Sequence, residues 1–420
     1  MGVVSMIKHN AVEEALFEAY ETSGAKTDAS NAAITALKTN GLPTRRVEAW
    51  HYTDLRSMLK SVPTPAVRPD AAAMKAAADR YPAIVETARV AVVDGYADAE
   101  LVGEQPSGVS VAISGESLVA QHTKENVVGL LANAFAKDCL DISIDAGSEL
   151  DKPIGLAHIA REGSVLATNQ QRVSIGAKAT ATVIERYVQL GSDHYQNSAV
   201  TELTIGDDAD ATYIIAQQTG EKATHLGQIN ITLGANAKLT LFILNAGGAL
   251  VRQDVNIDVL GEGADFQLRG VNLVGDNQHI DVTMDLHHAV PHTTSEEIIR
   301  NVVTGNGKGV FQGKIRVAQV AQKTDAKMAC NTLLLTDDGD FSTKPELEIF
   351  ADDVACGHGA TFTDLEPSYM FYLMSRGIPE KEARSLLIKG FVDEIVEDLD
   401  DEAIEEAIVG VIDEWLDAHV

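Results

Sequence analysis

The sequence predicts a mainly β chain: a parallel β-helix core flanked by α-helical N-terminal and C-terminal regions. Three observations carry this. From about residue 90 to 350 apolar residues alternate with period 2 and Val, Ile and Thr abound, whereas the flanking segments keep helical spacing. Five segments, ISIDAGSEL, VSIGAKATATVIE, LTIGDDADATYIIAQ, ITLGANAKLTLFIL and VLGEGADFQLRGVNL, share one plan of strand, tight glycine turn and strand. Their glycines, Gly147, Gly176, Gly206, Gly234 and Gly263, stand 29, 30, 28 and 29 residues apart. A unit of that size cannot bury its apolar face alone, so the period means stacked units closing one continuous core. Two or three short strands fill each turn of such a coil. A β-sandwich is the competing fold, and the regular glycine period weighs against it.

The elements follow in order. AVEEALFEAYETS and ASNAAITALKTN carry apolar residues at helical spacing, with Asp28 or Ser30 placed to cap the second helix. Asn40-Gly41 stops that helix, and Pro43 prevents its resumption. An Ala- and Pro-rich stretch over 65–85 reads as a short helix plus linker, which closes an N-terminal region at 1–88. The β-helix core is assigned to 89–362. Between 90 and 140 the alternation is weak and places no strand ends. Small residues beside the turns (Ala177, Ala179, Ala209, Ala211) let corners stack closely. After 270 the strand texture persists while the glycine register frays. GNGKG (305–309) reads as a hairpin loop, lacking the strand–loop–helix context and the Ser or Thr of a phosphate loop. The C-terminal region, 363–420, is helical again. Leu387, Phe391 and Ile395 form one stripe and Ile404, Ile408 and Ile412 another, which suits an end cap or a docking surface.

Composition narrows the function. Formal net charge is −29, from 62 acidic and 33 basic residues, which disfavours nucleic acid and anionic membrane surfaces. Three cysteines, Cys139, Cys330 and Cys356, with no C-x-x-C pair, suit a reducing compartment. No apolar run is long enough to span a membrane, and the first residues lack a secretory core, so the expected location is the cytoplasm.

Cys356 and His358 are the leading candidate ligands. Two apart in an extended stretch, they project from one face, with Cα atoms about 6.6 Å apart. Ligands of one tetrahedral ion lie nearer about 3.5 Å from each other. The pair therefore converges by side-chain bending or contacts different atoms of a small cluster, and it cannot complete a four-ligand site. His287, His288 and His292 look like a metal group, but His287 and His288 point to opposite strand faces, and turn packing explains them better. Cys139 and Cys330 read as small buried hydrophobes. A stand-alone β-helix enzyme or binding module would need a cluster of catalytic groups on one face, and no nucleophile or ATPase motif stands in the sequence.

Three stretches resemble the SufB/SufD family of iron–sulfur cluster assembly scaffolds. They are GLPTRRVEAWHYTDL (41–55), HHAVPHTTSEEIIRNVVTGNGKGVFQGKIRVAQVAQKTDAKMACNTLLL (287–335) and PELEIFADDVACGHGATFTDLEPSYMFYLMSRGIPEKEARSLLIKGFVDEI (345–395). Within the family the chain is closer to the SufD branch than to SufB. The resemblance implies a right-handed coil and a non-catalytic scaffold in a complex of the SUF system. It implies a SufB-like homologue as partner across the β-helix, with Cys356 and His358 facing that partner's ligands around a nascent cluster or iron. It implies a SufC-like ATPase docked on the C-terminal helices through Ser375, Arg376, Gly377, Glu380, Arg384, Leu387 and Phe391. A reduced flavin in the complex and a homodimer of the isolated chain are compatible with it. No tightly bound cofactor is expected in the chain alone.

Overall fold

The strands pair as a two-sheet coil. The computed structural model describes residues 8–24, 26–81, 83–116, 118 and 121–420. Sheet 1 runs through Val109–Ser114, Cys139–Ile144, Val165–Ile175, Tyr195–Ile205, Thr224–Leu233, Leu250–Val259, His279–His288, Lys308–Val317 and Asp340–Ile349, with Thr64–Pro65 beside it. Sheet 2 runs through Tyr96–Val102, Ala88–Val93, Ile154–Ala160, Thr180–Gln189, Asp210–Gln218, Lys238–Asn245, Asp265–Val274, Thr294–Val303, Asp325–Leu334 and Ala355–Thr363. Successive strands alternate between the sheets, so each turn of the coil holds two strands. Every pairing from Ile154 onward is parallel, and only the first rungs carry antiparallel partners.

The coil does not fray after residue 270: its parallel register continues to Thr363. The glycine signal fades because the left-handed turn position is filled by other residues. At one corner of each turn it is Gly147, then Lys178, Asp208, Asn236, Gly263, His292 and Lys323, all at positive φ. Gly176, Gly206 and Gly234 occupy a different place two residues earlier, where a side chain would collide with the backbone of the turn beneath. The period seen in sequence thus mixes two turn positions. Nor is 305–309 a hairpin loop, because the strands it joins lie in different sheets.

The interior is a continuous apolar cluster from Ala88 to Ala351. It is crossed by a polar column. Gln217, Asn245, Asn272, Asn301 and Thr332 stack in register. Asn245 donates to Asn272 and Asn272 to Asn301, both at 2.8 Å, and Asn301 donates to Thr332 at 3.1 Å. Nearer the start, buried Glu185 accepts from Gln171, His158, Tyr187, Tyr213 and Thr201. Burial alone would push its carboxyl up, but these donors outweigh it and hold it below its ordinary value.

Helices cover both outer faces. Helix α1 (Ala11–Thr22) and α2 (Asp28–Asn40) pack with the buried α5 (Val127–Phe135) against Leu166, Leu226 and Leu250 of sheet 1; between them in the chain come α3 (Leu55–Met58) and α4 (Ala71–Arg80). Thr27, rather than Asp28 or Ser30, caps α2, with Ser30 bonding back in a capping box. Helix α5 is buried on every side and apolar along nearly all its length, so it lacks the charged face that marks a surface helix in the 90–140 stretch. The C-terminal helices α6 (Pro367–Ser375), α7 (Glu380–Val396) and α8 (Glu402–His419) follow the coil. Helices α7 and α8 lie along the outer face of sheet 2, against Ile184, Phe242, Val271 and Val302, and so clad its flank instead of capping its end. None of the described helices is long and apolar enough to cross a membrane.

Candidate functional site at the open end of the coil

The strand Ala355–Thr363 pairs only with Asp325–Leu334, and its other edge is free. Cys356 lies opposite Ala326 and His358 opposite Met328. Ala326 and Met328 are buried in the interior cluster, so alternation points both candidate ligands into the coil at its last rung. Cys356 is half-buried against that cluster and His358 is exposed. Gly357 and Gly359 face the other way, with open space where side chains would stand. Burial raises the Cys356 thiol, the Ala326 backbone pulls it part of the way back, and Asp325 adds a smaller upward push. Ile349, Phe350 and Phe362 are exposed around the same end. Among the described residues no group of three or more His, Cys, Asp or Glu is placed to hold a metal ion. A thiol and an imidazole are donor types that bind transition metals, and two of them are too few to complete a four-ligand site.

The docking residues from the resemblance lie together beyond the coil. Ser375 ends α6 and donates to the Tyr372 carbonyl at 2.7 Å, Arg376 stacks over the Tyr372 ring, and Gly377 turns the chain at φ +89°. Glu380 opens α7 and is exposed, Arg384 and Leu387 are half-buried, and Phe391 packs back under the Arg300 guanidinium. The docking candidates include no residue of α6 before Ser375. None of its residues is buried, and Tyr369, Phe371, Tyr372 and Met374 are all exposed. The run SYMFYLM was the available signal: an apolar helix with no polar face.

The other candidates resolve structurally. His288 is buried and bonded to Thr293 and Ser295, while His287 faces outward to Asp258. Cys139 and Cys330 are buried, and burial pushes both thiols to about 11. The 41–55 segment is an anchor. Trp50 is fully buried with the Arg252 guanidinium 4.0 Å from its ring, and Thr53 bonds His279 and Asp281. A groove of about 920 Å³ is lined by Glu48 and Ala49 of this segment, by α5 and by the outer face of sheet 1. Its cations are spent on its own carboxylates (Lys314 on Glu348, Arg316 on Asp285, Lys344 on Glu48).

Comparison with known proteins agrees with this architecture. The family model described as "SUF system FeS cluster assembly, SufBD core domain" matches residues 158–391. The iron–sulfur cluster assembly protein SufD of Escherichia coli is 29% identical over 407 residues, covering 96% of this chain and 95% of that protein. A SufBD family protein of Synechocystis is 28% identical, covering 85% and 84%. The chloroplastic protein ABCI7 of Arabidopsis thaliana is 29% identical, covering 62% and 57%. With the family model matching more than half of its length, the chain belongs to the SufBD family of iron–sulfur cluster assembly proteins of the SUF system.

Proposed function

We propose that the chain is a SufD-type scaffold that supplies half of a transient iron or cluster site and performs no catalysis itself. The observation that carries this is the pair of inward-pointing ligand-type side chains, Cys356 and His358, on a last rung whose strand edge is unpaired. A homologous SufB-like coil set against that edge would extend the stack and bring its own ligands within reach. The nascent cluster is cargo, held between subunits and passed on; a reduced flavin would serve the complex as electron source. Helix α6 and the start of α7 dock a SufC-like ATPase, a role favoured by the exposed Tyr369, Phe371 and Tyr372. Such a surface is large for a chain on its own and suits a partner. ATP-driven movement of that partner would pull on the C-terminal helices and, through their seat on sheet 2, on the coil. Three unpaired thiols suit assembly in the cytoplasm.

Co-expression with a SufB-like and a SufC-like subunit tests the reading. The three chains are expected to purify together, and Cys356→Ala or His358→Ala to reduce cluster yield at least several-fold while leaving the complex and its melting temperature unchanged. Full yield from both variants removes the pair from the mechanism. Phe371→Asp is expected to lose the ATPase subunit alone, and its retention would move the docking surface elsewhere.

A further inference from the structure

Glu297 stands inside the coil with only the Ser295 hydroxyl near its carboxyl. Its side chain is fully buried and neither carboxylate oxygen completes a hydrogen bond. Among the described residues it is the one buried carboxylate with both oxygens unpaired. Glu185, by contrast, has five donors. An unpartnered buried carboxyl is costly, so its presence calls for a use.

Register shows where it sits. Glu297, Met328 and His358 form one inward column on three successive rungs, and Ser295, Ala326 and Cys356 form the column beside it. Rungs are about 4.8 Å apart, so Glu297 lies roughly 10 Å beneath the last one. That is too far to coordinate a shared ion and near enough to feel its charge. Only Met328 intervenes in the column, and Met is unbranched and adaptable. Room for it comes from Gly313, where a side chain would collide with the Met328 sulfur.

We propose that Glu297 is a positioning residue for the coil end, a carboxyl that offsets the positive charge of a divalent cation such as ferrous iron held by Cys356 and His358. This rests on the reading of that pair given above. Burial lifts the Glu297 carboxyl to about 8, the Ser295 hydroxyl and Arg269 pulling it down by less and Glu296 pushing it up. Asp325 and Cys330 stand on the next rung and Cys356 and His358 on the last, while the facing sheet contributes apolar side chains such as Met284 and Phe311. Without a cation, carboxyl and thiol are both protonated, and no two negative charges share the coil end. With one, the Cys356 S–H bond gives way to a thiolate–metal bond, its proton passing to solvent, the Glu297 carboxyl gives up part of its proton in response to the nearby charge, and no electron changes hands.

Anaerobic titration of the full-length chain with cobalt(II) tests this, reading the thiolate-to-metal absorption band and the protons released in weak buffer. Glu297→Gln is expected to weaken cobalt binding by about tenfold at pH 8 and to release about half a proton fewer per ion near pH 7.5, while Glu297→Asp keeps that fraction. Near pH 7.5 the affinity of the unaltered chain should climb with pH by about half a proton more steeply than that of Glu297→Gln, and equal slopes overturn the proposal. Equal affinity and proton count in Glu297→Gln overturn it as well and leave the Cys356–His358 pair standing. Absence of any Cys356-dependent cobalt band removes both readings.

Discussion

Burial of single titratable groups gives the fold opposing pH dependences. The Glu297 carboxyl is lifted from 4.5 to about 8, so between those values the folded chain holds a proton that the unfolded chain has released. Its contribution to stability is therefore present at low pH and is lost as pH rises through that window. Asp254, lifted to about 6 by burial, acts in the same sense. His225 and His288 act in reverse. Burial lowers them to about 3 and about 4, so the unfolded chain takes up protons first and stability is lost as pH falls below about 6.5. Glu297→Gln is expected to flatten the decline in unfolding free energy between pH 5 and 8 by a few kcal/mol. Denaturant titration at the two pH values measures it, and parallel declines in both proteins would remove Glu297 as the cause.

At the scale of elements, the segment 41–55 shows how an exposed-looking motif can be a structural lock. Trp50 covers Arg252, whose guanidinium is bound to Asp254, Asp281 and the Ala49 carbonyl. The N-terminal helices are thereby pinned to sheet 1. Trp50→Ala leaves a cavity over a buried charge network and is expected to cost about 3–5 kcal/mol. The N-terminal region should then become sensitive to protease near residues 41–60 while the far-ultraviolet signature of the coil survives. Loss of the coil together with the helices would show instead that the two fold as one unit. The asparagine column has the opposite character: each amide is satisfied by its neighbours in the stack, so it holds rungs in register without binding anything.

For the whole molecule, the two ends of the coil differ. Antiparallel strands cover the first rungs, whereas the last presents a bare strand edge with Phe350 and Phe362 exposed. Bare edges are templates for pairing, and another copy of the chain would fit one. The net charge of −29 opposes this at low ionic strength. Self-association is expected to strengthen with salt, and the double change Phe350→Asp, Phe362→Asp to leave a monomer with an unaltered melting temperature. Sedimentation at several protein and salt concentrations reads this, and a dimer that survives the change uses another surface.

What the sequence determined by itself was local. Alternation marked strands, turn residues marked corners, and the two-residue spacing put Cys356 and His358 on one face, because strand parity needs no tertiary information. Which face was inward could not be read from it. Helices bury part of the outside of both sheets, so outward residues such as Leu226, Leu250, Phe242 and Val271 are apolar too and the pattern loses its polarity there. Glu296 and Glu297 make the point in two adjacent letters. Stacking of the rungs turns Glu296 outward to Arg269 at 2.6 Å and seals Glu297 inside without a partner. Only contacts between residues some 30 positions apart could separate them.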